Sequence, residues 1–178
     1  MHMDGARLWN ASVASGIPPK EYAAPFDSIS VCLSKSLGCP VGSLVVGSKA
    51  TIKKAHRFRK MFGGGTRQAG ILAAAGIYAL DHHINRLEED HRKAKRVAKN
   101  LSAIKNLSVN AEEVETNMVF FDVSPTERTA QDIAAACRAQ GLLFLPTSKT
   151  RIRCVTHLDV SLEDMDRAAE VLQKVVKG

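Results

Sequence analysis

Val31-Cys32-Leu33-Ser34-Lys35-Ser36-Leu37-Gly38-Cys39-Pro40-Val41-Gly42-Ser43 carries an apolar run into a lysine and then directly into a turn. Upstream, Ser28 to Leu33 alternates as a strand does, and downstream Ser43 to Gly47 reads as a second strand. Gly38, Pro40 and Gly42 mark the connection between them. The two runs are expected to be neighbouring strands of one sheet. Small residues on both sides of Lys35 leave room for a bulky group against the backbone. A lysine in a partly dry pocket loses its proton and condenses with an aldehyde. For this spacing alone the plainer reading, a surface lysine in a turn, is the commoner one.

Working outward toward the N-terminus, Asp4-Gly5-Ala6-Arg7 stands where a strand should end. A carboxylate there points into the crevice in which open α/β sheets bind ligands. Arg7 offers a forked donor suited to a carboxylate. The plainer reading makes Asp4 a cap for the following helix, which Gly16, Pro18 and Pro19 must interrupt. A short helical stretch is expected over Lys20 to Ala24.

On the other side, Ser48 is placed to cap a helix from Lys49 to about Met61, stopped by Gly63-Gly64-Gly65. The stretch Gly63-Gly64-Gly65-Thr66-Arg67-Gln68 can present bare amides to an anion, with Lys60 and Arg67 beside it, or can simply connect two helices. Thr66 to Leu101 is helical in pattern, with a break expected near Asp81 to Asn85. Ile71, Ala75, Tyr78, Ile84 and Leu87 fall on one side of it, and Glu88 to Lys99, dense in charge of both signs, reads as an exposed face.

From about residue 105 the pattern becomes strand, helix, strand, helix. The strands are expected at Asn117 to Val123 and Arg151 to Val155. One helix runs from Thr129 to Gln140 with Gly141 as its stop, and another from Ser161 to Lys177 with Ser161 and Asp164 as a capping box. This predicts an α/β chain with one portion over 1–104 and a small α/β lobe over 105–178. Arg151 and Arg153 share one strand face, so that one can hold a carboxylate while the other is solvated. The alternative is a pair of edge-strand arginines that discourage aggregation.

Composition bounds these readings. The 178 residues are 45% hydrophobic, too apolar for disorder, and no run approaches the roughly 18 apolar residues of a membrane span. The four cysteines match no zinc spacing, which points to a reduced, cytoplasmic-type compartment. The net charge of +7 is concentrated in Lys49, Lys53, Lys54, Arg57, Arg59, Lys60 and Arg67, with no acid between Lys49 and Leu80. That cluster suits an anionic partner such as a phosphate or a carboxylate, but for Lys49, Lys53 and Lys54 a solvated helix face is the preferred reading. Nucleic acid is disfavoured, because aromatics are only 5% of the chain and no binding motif is present.

Four segments in this order, Asp4-Gly5-Ala6-Arg7, Val31 to Ser43, Arg59 to Gly70, and Arg153-Cys154-Val155-Thr156-His157-Leu158-Asp159, resemble the low-specificity L-threonine aldolases. The resemblance covers essentially the whole chain. It departs at Ser36, where the family more often has glycine, and at Cys39, where it has alanine. The resemblance implies a pyridoxal-phosphate (PLP)-dependent transferase-like fold of the aspartate-aminotransferase type, here a partial large domain plus the small C-terminal α/β domain. It implies a lyase that cleaves L-threonine, L-allo-threonine and related β-hydroxy amino acids to glycine and an aldehyde. By position, Lys35 would bond the cofactor's aldehyde and Asp4 would pair with its pyridinium nitrogen. Arg7 and Arg153 would clamp the amino-acid carboxylate. Lys60 would help complete the substrate site, and Arg67 would act near the phosphate of a neighbouring subunit of a homotetramer. Asp4, Arg7, Lys35 and Arg153 are expected to converge on one cleft. His157 is expected to be structural. Family members carry a long part ahead of the aspartate motif, so the chain reads as a C-terminal portion. The alternative expectation is a truncated, non-catalytic member that does not retain PLP.

Overall fold

The computed structural model of the chain describes residues 1–177. It divides into two compact units, Met1–Glu88 and Glu89 onward.

In the first unit, β1 (His2–Gly5), β2 (Ser28–Cys32) and β3 (Ser43–Gly47) form a sheet in the order β1-β2-β3. β1 and β2 run parallel, with Asp4 opposite Ser30, and β2 and β3 run antiparallel, with Val31 opposite Leu44. The sequence predicted the pairing of β2 with β3. β2 is the central strand, and Ile29, Val31 and Leu33 are buried. The exposed apolar strand is β3, where Leu44, Val45 and Val46 all face solvent.

Gly5 shows how tightly β1 sits against β2. A Cβ at Gly5 would lie 2.9 Å from the Ser30 carbonyl oxygen and 3.1 Å from Ile29 Cγ2. Backbone cannot retreat as a flexible side chain can. Gly5→Ala is therefore expected to destabilise this unit by about 1–3 kcal/mol. Urea unfolding followed through Trp9 tests this, because the chain's single tryptophan is half-buried in the same unit. A midpoint equal to wild type would show that the strands can part at no cost.

The helices of this unit are α1 (Leu8–Ser15), α2 (Pro19–Ala23), α3 (Lys49–Met61) and α4 (Gly70–His82). Ser48 caps α3 as expected, its hydroxyl accepting from Thr51 N at 3.2 Å. α3 buries none of its residues, so its basic side chains form a solvated face. α4 differs from its sequence pattern. Ile71 and Tyr78 are exposed, and the buried positions are Gly76 and Ala79. The helix is apolar nearly all round, so its periodicity did not single out the inner face.

The second unit begins with most of α5 (Leu87–Ser102). Its sheet has the order β4-β6-β5, from β4 (Met118–Asp122), β5 (Leu145–Pro146) and β6 (Arg151–Val155), all antiparallel. α6 (Ala130–Arg138) and α7 (Leu162–Lys177) complete it. Both helices start with a capping box. Thr129 and Asp132 exchange bonds at α6, and Ser161 N donates to Asp164 while Asp164 N donates to the Ser161 hydroxyl at α7. The Thr129 hydroxyl and amide hold the Asp132 carboxyl below its usual range. Ala94, Val97, Ala98 and Leu101 of α5 join Val119, Phe121, Ile152 and Leu172 in one core. The sequence reading drew its boundary at 104/105, whereas α5 spends its apolar stripe in this core. Among the described residues, no helix is long and apolar enough to cross a membrane.

Candidate active site

Asp4 and Lys35 lie at the same end of two neighbouring parallel strands. Asp4 is the next-to-last residue of β1, and Lys35 is the third residue past β2. The C-terminal ends of parallel strands are where open α/β sheets expose functional groups, because the chain leaves the sheet there and opens a crevice. Asp4 is not a helix cap in the strict sense. Its Oδ1 accepts from Ala6 N at 3.1 Å, and the N-cap position of α1 falls to Arg7. That local turn holds the carboxylate at the strand end. Arg7, half-buried, follows at once.

The loop that carries Lys35 is well anchored. Leu33 N and Ser34 N both donate to the Gly42 carbonyl, at 3.0 and 3.3 Å. Cys39 N donates to Leu33 O at 3.1 Å, and Gly38 N closes a turn on Lys35 O at 2.9 Å. Gly38 (φ 75°) and Gly42 (φ 118°) occupy backbone conformations that side chains resist, which is why the turn signals read from sequence stand where they do. Ser36 and Leu37 are buried beneath the exposed Lys35.

Two amides of the glycine segment are taken up by the end of α3. Gly63 N donates to Lys60 O at 3.2 Å and Gly64 N to Arg59 O at 2.8 Å, with Gly63 in the left-handed region at φ 81°. This is a helix C-terminal lock in which the freed carbonyls of α3 take those two amides. The expected presentation of bare amides is thereby corrected for Gly63 and Gly64. α4 begins later, at Gly70. Lys60 and Arg67 are both exposed, and the stem of Lys60 lies along Gly65.

Arg151 and Arg153 differ in exposure, and neither lies on an edge strand. β6 is the central strand of its sheet, so the edge-protection reading fails. Arg151 is exposed, with its guanidinium 4.8 Å from the centre of the Phe120 ring. Arg153 is half-buried, and its Nε is a buried donor with no hydrogen-bond partner. A buried unpaired donor is costly, and an anionic ligand would remove that cost. His157 is held by Asp159, Nδ1 to Oδ2 at 3.1 Å.

Sequence reasoning missed a polar cluster in the second unit. Asp90 and Lys93, read as part of an exposed charged face, are buried. Lys93 Nζ lies 3.4 Å from Asp90 Oδ1 and donates to the His157 carbonyl at 3.2 Å. The Thr156 hydroxyl donates to the Asp90 carbonyl at 2.6 Å, and Asn117 Nδ2 donates to Thr156 O at 3.0 Å. The available signal was the spacing Asp90, Lys93, Ala94, Val97, Leu101, which puts both charges on the apolar stripe.

An aldehyde-bearing pyridine cofactor fits the donor set at the first sheet. Lys35 supplies an amine and Asp4 a carboxylate, from adjacent strand ends. The four cysteines, Cys32, Cys39, Cys137 and Cys154, are all unbridged, and burial pushes the Cys137 thiol up to about 11.

Known proteins resemble this chain along nearly its whole length. The chain is 42% identical over 177 residues to low-specificity L-threonine aldolase 1 of Arabidopsis thaliana, covering 99% of this chain and 49% of that protein. It is 46% identical over 169 residues to the low specificity L-threonine aldolase of Escherichia coli K12, covering 95% and 49%. The chain thus spans about half the length of the curated relatives it matches. The solved threonine aldolase of Leishmania major superposes with a TM-score of 0.72 at 18% identity, over 98% of this chain and 51% of that one, which shows the fold. The profile of the beta-eliminating lyases matches residues 1–124, spanning Asp4, Arg7, Lys35, Lys60 and Arg67, and the chain belongs to that family.

Proposed function

We propose that this chain is the lysine-bearing part of a PLP-dependent aldolase. The reaction is cleavage of L-threonine, L-allo-threonine and related β-hydroxy amino acids to glycine and an aldehyde. One observation carries the reading, namely that Asp4 and Lys35 lie at the same end of two adjacent parallel strands, Lys35 in the loop just past β2. PLP, when bound, supplies an electron sink for breaking the bond between the α and β carbons.

The residues divide the remaining work. Lys35 would hold the cofactor through its amine, and Asp4 would pair with its pyridine nitrogen. Arg7 and Arg153 bind the substrate carboxylate through charge-assisted bonds, and the unpaired Nε of Arg153 supports that role. Lys60 assists on the substrate side and Arg67 on the phosphate side. The family resemblance supports a homotetramer acting in cytoplasmic threonine catabolism and glycine formation.

Purified chain should be incubated with PLP, reduced with borohydride and digested. The modified peptide is expected to carry the adduct on Lys35, with glycine released from L-threonine by the unreduced protein. An adduct at another lysine, or none, would overturn the assignment. Arg153→Ala is expected to raise KM for threonine about tenfold or more while the borohydride-trapped adduct persists, since it removes a substrate contact and no cofactor bond. Loss of the adduct together with substrate affinity would place Arg153 on the cofactor instead.

A further inference from the structure

We infer that His83 is the positioning residue of the Lys35 loop. The inference rests on the reading of Lys35 as the cofactor lysine. His83 follows the last residue of α4, and its Nδ1 lies 2.7 Å from the carbonyl oxygen of Leu37, two residues beyond Lys35. A carbonyl only accepts, so Nδ1 carries the proton and donates. Leu37 is buried at 1% exposure. Its carbonyl takes a side-chain donor from outside the loop, at the end of α4. Lys35 O, Leu33 O and Gly42 O all take backbone amides of the loop itself.

The surroundings hold both ends of this bond. Leu33, Leu37, Cys39, Ala79 and Leu87 form one buried cluster, with Trp9, Leu80 and Ile84 packed on it. A Cβ at Gly76 would meet Leu33 Cδ1 at 3.1 Å, so α4 seats directly against the end of the strand that leads to the lysine. Cys39 Sγ lies 3.5 Å from the Ala75 carbonyl. The Tyr78 ring meets the His83 ring edge-on, at 5.5 Å and 89°, which restricts the imidazole's rotation. Apolar packing fixes the depth of the loop, but it has no direction. The His83 bond supplies the direction, and so sets which way the Lys35-Ser36-Leu37-Gly38 turn faces.

The test uses the full chain with His83→Leu, His83→Asn and His83→Gln. The Asn amide places a donor near the position of Nδ1, whereas the Gln amide places it near Nε2. Hydrogen exchange reads the loop without cofactor. In the Leu and Gln variants the Gly38 and Cys39 amides are expected to exchange about tenfold faster or more, while α4 amides stay at the wild-type rate. The rate of borohydride-trapped PLP attachment at Lys35 should fall in parallel, and Asn should restore both. Wild-type exchange in the Leu variant, or equal damage from Leu and Asn, overturns the inference. Should the Leu variant fail to fold, nitrogen NMR of wild type decides: a bare Nδ1 with the proton on Nε2 overturns it, and a protonated Nδ1 upholds it. Failure of wild type to take PLP on Lys35 would sink the cofactor reading alone, and the exchange rates would still decide the positioning role.

Discussion

Lys35→Ala is expected to abolish borohydride-fixable attachment of PLP and to lower threonine cleavage on the order of a thousandfold or more. The size follows from what the amine does. Covalent catalysis by lysine depends on a nucleophilic nitrogen at one place, and no neighbouring side chain can substitute for it. The loop would survive the change. Lys35 is exposed, and the bonds that anchor the loop run through its backbone and through Leu33, Ser34, Gly38 and Cys39. Unfolding by urea should therefore stay close to wild type. Lys35→Arg refines the test, because it keeps the positive charge but cannot condense with an aldehyde. If the Arg variant retained cleavage, Lys35 would act as a charge and the assignment of covalent attachment would be wrong. If the Ala variant still gave a reducible adduct, another lysine would carry the cofactor.

Asp90→Ala should produce the largest loss of stability, about 3–5 kcal/mol in the second unit. Asp90 is fully buried, and Lys93 beside it is 8% exposed. Removing the carboxylate leaves an ammonium in the interior, still donating to the His157 carbonyl at 3.2 Å. A buried charge that has lost its counter-charge costs more than the pair was worth. Replacing both partners, as Asp90→Leu with Lys93→Met, should cost far less than the single change. Urea unfolding followed by far-ultraviolet circular dichroism reads both. Equal losses for the single and double variants would show that the pair contributes no electrostatic coupling. The same cluster holds Thr156 and His157, just past β6, so local loosening should reach the strand that carries Arg153.

Local signals in the chain were strong enough to specify most elements. Ser48, Thr129 and Ser161 cap helices because their hydroxyls satisfy amides within three residues, a bond that needs no distant partner. Gly16 and Gly63 end helices in the left-handed region for the same local reason. The β2–β3 pairing was legible because the short, glycine-bearing connection leaves two alternating runs little choice but to pair. The candidate site was legible as motifs, since the lysine, aspartate and arginine segments recur in a recognisable order.

What the sequence left open depended on contacts between residues far apart in the chain. Only the parallel pairing of β1 with β2 brings Asp4 and Lys35 to the same end of the sheet, since 30 residues separate them and no local rule sets that register. Glu88 to Lys99 reads as a solvated face until packing shows Asp90 and Lys93 turned inward toward Thr156 and His157, more than 60 residues away. The triple glycine could have cradled an anion or ended a helix, and the carbonyls of Arg59 and Lys60 decided it by taking two of its amides. The amino-acid sequence by itself determined most of the element order and the caps and turns, because these follow from bonds formed within a few residues, and its motifs named the candidate site residues. The tertiary structure alone decided which strand is central, which charges are buried, and that His83 reaches the loop of Lys35. Those outcomes depend on the competition of distant side chains for a limited interior, which no local pattern encodes.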